Sequence, residues 1–133
     1  MAIPEFELST AYARSVLPTQ VSRADAVFNC SRIALLVHAL QNRRYDLLAT
    51  AMDDRLHQPY RATLVPGMTD AIAAAYAAGA LGVALSGSGP TLLAFAHGAN
   101  QAIASVLHQT LQRHGIACQI RPLQADTTAA VVL

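Results

Sequence analysis

Two short apolar runs separated by a small polar turn form the clearest hydrophobic pattern in the chain. Residues 83–85 and 92–95 are too short to be helices and are rich in valine, leucine and phenylalanine, so the pattern predicts two buried strands. The turn between them reads Ser86-Gly87-Ser88-Gly89-Pro90. Its glycines permit backbone torsions closed to other residues, and its successive N–H groups and serine hydroxyls could bind an anion. A tight hairpin and a ligand-binding loop are equally good interpretations of this spacing.

Helical periodicity dominates the first half of the chain. Ser9-Thr10 resembles a helix cap, and residues 11–17 form a short predicted helix that ends before Pro18. Ser22-Arg23-Ala24-Asp25 is a capping-box variant that opens a long helix, which ends near residue 42. That helix is apolar over most of its circumference, so we expect it to be central in the fold, with its narrow polar strip exposed or paired. The apolar positions include Ala26, Cys30, Ile33, Val37 and Leu40, and the polar strip is Asp25, Asn29 and Arg32.

The remaining elements complete a mixed pattern. Residues 45–52 and 69–78 predict helices, and a third helix between Asn100 and Gly115 is clearly amphipathic. Residues 2–8 predict an edge strand because a proline interrupts them, and residues 116–123 and 129–133 predict two further strands. The order of these elements predicts an α+β fold, with a ferredoxin-like antiparallel sheet packed against helices. No repeat or linker interrupts residues 1–133, which indicates a single domain. The inner face of the amphipathic helix consists of Ile103, Val106, Leu107, Thr110 and Leu111.

Composition narrows the range of partners. The 133 residues are 53% hydrophobic and 13% charged, which predicts a packed globular interior. Nine basic residues against eight acidic ones, few aromatic side chains and no tryptophan argue against a nucleic-acid or anionic-membrane surface. The longest apolar stretch, residues 71–85, is broken by Gly79 and Gly82 and is shorter than a membrane span of about 20 residues. We find no basic-then-apolar leader, so a cytoplasmic protein is expected, with Cys30 and Cys118 as buried thiols.

Two groups of polar side chains are candidates for chemistry. Thr10 and Arg14 stand four residues apart and project from one helix face, although a cap and a solvated charge are the simpler interpretations of the two residues. The second group lies in residues 53–61, where paired carboxylates could hold a metal or act as a base and a histidine could carry a proton. A solvated helix end is the simpler interpretation of Asp53, Asp54 and His57. Arg61 follows Pro59 in a predicted loop, where its guanidinium could bind a carboxylate.

Four separate blocks resemble one enzyme family. Residues 79–91, Gly-Ala-Leu-Gly-Val-Ala-Leu-Ser-Gly-Ser-Gly-Pro-Thr, resemble the third motif of the GHMP kinase superfamily and, within it, of the homoserine kinases. Residues 4–18, 21–29 and 53–61 resemble homoserine kinases in the same order, so the resemblance covers almost the whole chain. It implies a kinase that transfers the γ-phosphoryl group of ATP to the hydroxyl of L-homoserine. The product, O-phosphohomoserine, leads to threonine.

The resemblance also assigns site residues. Thr10, Arg14 and Arg61 match residues that grip the amino-acid substrate in homoserine kinases, and two arginines on one carboxylate make chemical sense. Ser86, Gly87, Ser88 and Gly89 match a loop beside the place where the phosphoryl group passes. It identifies no catalytic residue and no metal ligand in this chain, and it leaves Asp53, Asp54 and His57 in structural or supporting roles.

One departure from the family limits what the chain is expected to do. The superfamily binds ATP and Mg²⁺ through an N-terminal half with a Pro-x-x-x-Gly-Leu-Gly-Ser-Ser-Ala-Ala loop, and this sequence contains no such string. We therefore expect a C-terminal half that binds neither ATP nor Mg²⁺ alone, is inactive alone, and has L-homoserine, an N-terminal kinase domain and a second copy as partners. Two alternatives stay open: a stand-alone ferredoxin-like domain that binds an amino acid for regulation, and an interaction domain whose bare helix faces drive dimerisation.

Overall fold

The computed structural model describes residues 1–98 and 100–125, so the strand predicted at residues 129–133 lies outside the described residues. In this part of the chain, four strands form one antiparallel sheet in the order β2-β3-β1-β4. This order, with its two crossing connections through helices, is the ferredoxin-like arrangement that the sequence predicts. The strands are β1 (Ala2–Pro4), β2 (Gly82–Leu85), β3 (Leu92–Phe95) and β4 (Cys118–Ile120).

The predicted helices are present with similar bounds. Three of them begin at a predicted cap, because the Ser9, Ser22 and Asn100 side chains each accept a hydrogen bond from the backbone N–H three residues further on. No helix in the described ranges combines the length and the apolar composition that crossing a membrane requires. The helices are α1 (Thr10–Ser15), α2 (Arg23–Gln41), α3 (Leu48–Ala51, after a 3₁₀ turn at Tyr45–Leu47), α4 (Gln58–Arg61, before a 3₁₀ turn at Ala62–Leu64), α5 (Met68–Ala77) and α6 (Gln101–Arg113).

The hydrophobic core lies between the sheet and the pair α5 and α6. Ala71 and Ala75 are fully buried, so α5 lies close to its neighbours because these side chains take little space. The predicted inner face of α6 is confirmed, with Val106 half-buried at its margin. Leu92 in β3 and Leu111 in α6 are among the largest side chains that are fully buried. This layer positions the β2–β3 hairpin, whose turn carries the glycine motif.

The prediction that β1 is an edge strand is wrong. β1 lies between β3 and β4 in the sheet, and Ala2 pairs with both Leu92 and Ile120. The missing N–H of Pro4 is tolerated inside the sheet because β1 pairs with β3 only at Ala2. The strand is also shorter than the predicted residues 2–8, since the chain leaves the sheet after Pro4 to reach α1.

The real edge next to the hairpin is β2, and two side chains protect it. The N–H of Val83 donates to the Tyr76 hydroxyl at 3.1 Å, and the N–H of Leu85 donates to Oε1 of Gln58 at 2.8 Å. Unpaired strand edges expose backbone donors, which invite pairing with other chains. Here α5 and α4 supply the missing acceptors, so the edge that leads into the glycine turn is covered.

The orientation of α2 is the largest departure from the expected fold. The helix is not central: Ile33 is 64% exposed, Val37 is 50% exposed, and Val27 and Leu40 are exposed beside them. Asp25 and Asn29 of the polar strip instead contact Arg55 and Asp54 in the segment after α3, and the Arg32 guanidinium lies over the Phe28 ring. Cys30 shares the outward face and is exposed, so only Cys118 is the buried thiol that the sequence predicts. The apolar face of α2 is therefore a surface, which we call the α2 face: Val27, Cys30, Ile33, Val37 and Leu40.

Candidate functional site

The glycine turn between β2 and β3 closes on itself and leaves donors free. The N–H of Ser86 donates to the carbonyl of Thr91 at 2.8 Å, and the N–H of Gly89 donates to the carbonyl of Ser86 at 3.0 Å. Among residues 1–98 and 100–125, the amides of Gly87 and Ser88 have no hydrogen-bond acceptor. A phosphate or carboxylate oxygen can accept hydrogen bonds from two such adjacent free amides. The predicted anion-binding group of successive amides is therefore limited to Gly87 and Ser88.

Both glycines of the turn have left-handed backbones. Gly87 has a φ of 61° and Gly89 has a φ of 87°. A Cβ at Gly89 would also lie 3.0 Å from Cδ1 of Leu85, whereas one at Gly87 would meet nothing within 4 Å. The left-handed torsion favours glycine at both positions, and at Gly89 a side chain would in addition force the Leu85 side chain to shift by a few tenths of an ångström. The Gly89–Pro90 peptide bond, which leads into β3, is cis.

Thr10 lies beside this turn. Its Oγ1 is 3.4 Å from Oγ of Ser88, although the two residues are 78 positions apart. The N-terminal end of α1, the segment before it and Pro90 border a hollow of about 520 Å³. This hollow is open to solvent, and its lining includes Thr10, whose hydroxyl lies beside that of Ser88, but none of the turn residues 86–89.

Arg61 joins α1 to the same turn. Its Nε donates to the carbonyl of Ala13 at 3.0 Å, and its Nη1 donates to the carbonyl of Gly87 at 3.1 Å. The residue is only 8% exposed and ends α4, so the prediction that it lies in a loop is wrong. The reason is that Gln58–Arg61 forms one helical turn with Pro59 in its first turn, a position where proline is favourable. In the described ranges, Nη2 has no partner and stays available to a ligand.

Arg14 is placed near the site but does not contact it. It is exposed on α1 and directly follows Ala13, whose carbonyl receives the Arg61 bond. No hydrogen bond or ion pair of its side chain occurs among the residues that the structure describes. The structure thus brings Thr10 and Arg61 to the glycine turn. Arg14 makes no such contact, although it directly follows Ala13, whose carbonyl accepts from Arg61.

Asp54 is a buried structural carboxylate. Its side chain is 7% exposed and accepts hydrogen bonds from the N–H groups of Leu56, His57 and Gln58 and from Nδ2 of Asn29. Burial by itself raises the pKa of Asp54, but these bonds, with that from Gln58 the largest, together outweigh it and hold the pKa below its usual value. Asp54 is therefore ionised near neutral pH and fully engaged.

Asp53 and His57 are the other two candidate side chains in residues 53–61. Asp53 is exposed, and Nδ1 of His57 lies 3.3 Å from Nη1 of Arg61. No three His, Cys, Asp or Glu side chains of the described ranges come together as metal ligands. Magnesium needs several free oxygen ligands, and the oxygens of Asp54 are already occupied by four donors. The residues of this segment do not fit a Mg²⁺ site.

Sequence reasoning missed three supporting residues. Asn29 donates a hydrogen bond to Asp54, and Gln58 accepts one from the N–H of Leu85. The ring of Phe28 lies under the guanidinium groups of Arg32 and Arg55, which are 4.1 and 3.8 Å from its centroid. The signals in the sequence are the polar strip on α2, which includes Asn29, and the family blocks at residues 21–29 and 53–61, which contain all three residues but give them no role. A larger, mostly apolar groove of about 600 Å³ borders α3, α4, α5 and β2, but it contains none of the turn residues 86–89.

Comparison with known proteins decides the family. A family model described as the C-terminal domain of GHMP kinases matches residues 36–113. This chain belongs to the GHMP kinase family. The resemblance drawn from the sequence motifs is thereby confirmed.

Relatives of this GHMP kinase domain are longer proteins. The chain is 49% identical to the homoserine kinase of Microchaete diplosiphon, over 98% of this chain and 43% of that protein. It is 46% identical to the homoserine kinase of Moorella thermoacetica, over 100% of this chain and 45% of that protein. The crystal structure of homoserine kinase from Cytophaga hutchinsonii matches 89% of this domain and 38% of its own chain, with 32% identity and a TM-score of 0.83. The GHMP kinase domain therefore spans less than half the length of these relatives.

Proposed function

We propose that this chain is the substrate-gripping, C-terminal domain of a homoserine kinase, a cytoplasmic enzyme of threonine biosynthesis. The reaction is transfer of the γ-phosphoryl group of ATP to the side-chain hydroxyl of L-homoserine. The observation that carries the proposal is the meeting of Thr10 and Arg61, from distant parts of the chain, at the glycine turn. Their meeting there, in a chain 49% identical to a homoserine kinase, supports a shared substrate site.

The residues at the turn suit a zwitterionic amino acid. Arg14 is exposed and can offer a full guanidinium fork to the substrate carboxylate, while Arg61 can add its free Nη2. Thr10 and Ser88 offer hydroxyls that can orient the substrate side chain. The free amides of Gly87 and Ser88 can donate hydrogen bonds to the negative charge of a phosphoryl group, and catalysis of phosphoryl transfer depends mainly on positioning and on stabilising that charge.

ATP and Mg²⁺ are proposed to be held by an N-terminal kinase domain rather than by this chain. The described carboxylates do not form a suitable site, as argued above for Asp54. The α2 face is the surface that supports a partner, because its large apolar side chains are exposed on one side of a helix that rests on its polar side. Over half the length of the relatives lies outside the matched region, which is enough for such a domain.

The experiment is a titration followed by an activity assay. Isothermal titration of L-homoserine into the chain should show binding that Arg14→Ala abolishes. A coupled ADP-release assay should show no turnover for the chain alone and regained turnover when the N-terminal part of the Microchaete diplosiphon homoserine kinase is added. Absence of homoserine binding, or turnover by the chain alone, would each contradict this proposal.

A second candidate function is favoured by one observation. The exposed α2 face could also pair with a second copy of the chain, so the domain would act as a homodimerisation module. Light scattering after size-exclusion chromatography distinguishes the two candidates. A stable dimer that Val37→Asp converts to monomer, and that binds no homoserine, favours dimerisation without catalysis.

A further inference from the structure

One continuous set of hydrogen bonds runs from α2 to the glycine turn. Its first member is Asn29, which donates from Nδ2 to Oδ1 of Asp54 at 2.6 Å and accepts at Oδ1 from the N–H of Arg55 at 3.0 Å. Asp54 then accepts at Oδ2 from the N–H groups of His57 and Gln58, at 2.8 and 2.6 Å. The carboxylate therefore fixes the first residues of α4 against α2.

The set continues from α4 into the hairpin at two points. Gln58, the first residue of α4, accepts at Oε1 from the N–H of Leu85, which directly precedes the turn. Arg61, the last residue of α4, donates to the carbonyl of Gly87 within the turn. The two ends of one helical turn thus hold the strand end and the turn itself.

The helix that makes these contacts, α4, is too short to be stable without contacts to the rest of the chain. α4 has four residues, and an isolated helix shorter than about 12–15 residues is marginal in water. The N–H of its first residue, Gln58, and that of His57 just before it donate to Asp54, an ionised carboxylate in a side chain that is 7% exposed. Losing that carboxylate removes the anchor of α4 and leaves backbone donors without an acceptor.

We propose that Asp54, held by Asn29, is a positioning residue for the glycine turn of this kinase domain. Through α4 it sets where Gln58 and Arg61 hold the turn, and hence where the free amides of Gly87 and Ser88 lie relative to the phosphoryl acceptor. Asp54 itself touches neither substrate nor ATP in this role. The inference rests on the proposed function for its meaning, but its structural part can be tested without any substrate.

The first test compares Asp54→Asn with Asp53→Asn by nuclear magnetic resonance of the whole chain without ligand. Asp53 is exposed and carries the same charge, so it is a matched control. We expect Asp54→Asn to shift the amide resonances of Gly87 and Ser88 and the Nε–H resonance of Arg61, and to leave the α6 amides in place. Unchanged turn resonances in Asp54→Asn, or equal shifts in Asp53→Asn, would overturn the proposal.

The second test measures L-homoserine binding by titration in the same variants. Asp54→Asn should raise the dissociation constant on the order of tenfold, since a displaced positioning group weakens a well-oriented site, and Asp53→Asn should leave it unchanged. If the unaltered chain binds no homoserine, the proposal that homoserine is the substrate is wrong. The positioning role of Asp54 is then still tested by the amide resonances of the turn. If homoserine binds equally to Asp54→Asn, the positioning role fails while the substrate stands.

A third variant tests the proposal in case Asp54→Asn does not fold. If Asp54→Asn does not fold, Asn29→Ala removes only one of the four donors to Asp54 and keeps the charge. It should shift the same resonances of Gly87, Ser88 and Arg61 by smaller amounts, with α6 unchanged. A folded Asn29→Ala protein whose turn resonances match the unaltered chain would contradict the proposal.

Discussion

Arg61 and Gly87 are joined by a 3.1 Å hydrogen bond from Nη1 of the guanidinium to the carbonyl of the glycine turn. The same guanidinium holds the carbonyl of Ala13 through Nε, so one buried side chain links α1, α4 and the hairpin. Arg61 is therefore part of the framework of the candidate site, and only its remaining donors are available to a substrate.

Replacing this arginine should cost stability as well as binding. Arg61→Ala removes the donors to two backbone carbonyls, so we expect the free energy of unfolding to fall by about 2–4 kcal/mol, which urea denaturation measures. Arg14→Ala is the matched control, because Arg14 is exposed and its loss should change stability by less than about 0.5 kcal/mol while it abolishes homoserine binding. Equal stability losses in the two variants would contradict the framework role.

The two glycines of the turn should respond differently to alanine. Gly87→Ala forces a side chain into a left-handed backbone with open space around it, which should cost about 1 kcal/mol. Gly89→Ala adds a contact of 3.0 Å with Leu85 to the same torsional cost, so we expect about 2 kcal/mol or more. Thermal unfolding of both variants tests the order, and a more damaging Gly87→Ala would show that the turn is arranged differently.

Acid should destabilise the chain partly through Asp54. Its folded pKa lies below the unfolded value of about 3.9, so the ionised carboxylate favours the folded state. That contribution is complete above the unfolded pKa and is lost as the pH falls through the folded pKa. The difference in unfolding free energy between the unaltered chain and Asp54→Asn should therefore be constant from pH 7 to pH 5 and narrow below about pH 4. Asp53→Asn should follow the unaltered chain more closely over the same range.

Charge on the α2 face should affect association and leave the fold intact. Val37 is 50% exposed, so Val37→Asp should change the unfolding free energy of the isolated chain by no more than about 0.5 kcal/mol. It should nevertheless abolish association with an N-terminal kinase domain or a second copy in sedimentation velocity. Leu48→Ala provides the contrast, because Leu48 is 1% exposed and its truncation should cost about 2–5 kcal/mol. A large stability loss in Val37→Asp would show that the α2 face packs within the chain.

Much of the site was predictable because its signals are local. The glycine turn, the flanking strands and the caps Ser9, Ser22 and Asn100 depend on residues within a few positions of one another. Thr10 and Arg61 were selected through the family motifs, and the structure brings both to the turn. The supporting roles of Asn29 and Gln58 could not be predicted, because their partners, Asp54 and Leu85, lie more than twenty positions away.

The hairpin, the amphipathic α6 and the α+β class of the fold follow from the sequence alone, since backbone torsions and hydrophobic periodicity are properties of short segments. Contacts between distant elements place β1 inside the sheet, hold Asp25 and Asn29 of α2 against the segment after α3, and bury Arg61. Periodicity shows that a helix has an apolar face, but it does not show which element covers that face or whether one does. The contacts that answer this question join distant residues, and they exist only once the chain has folded.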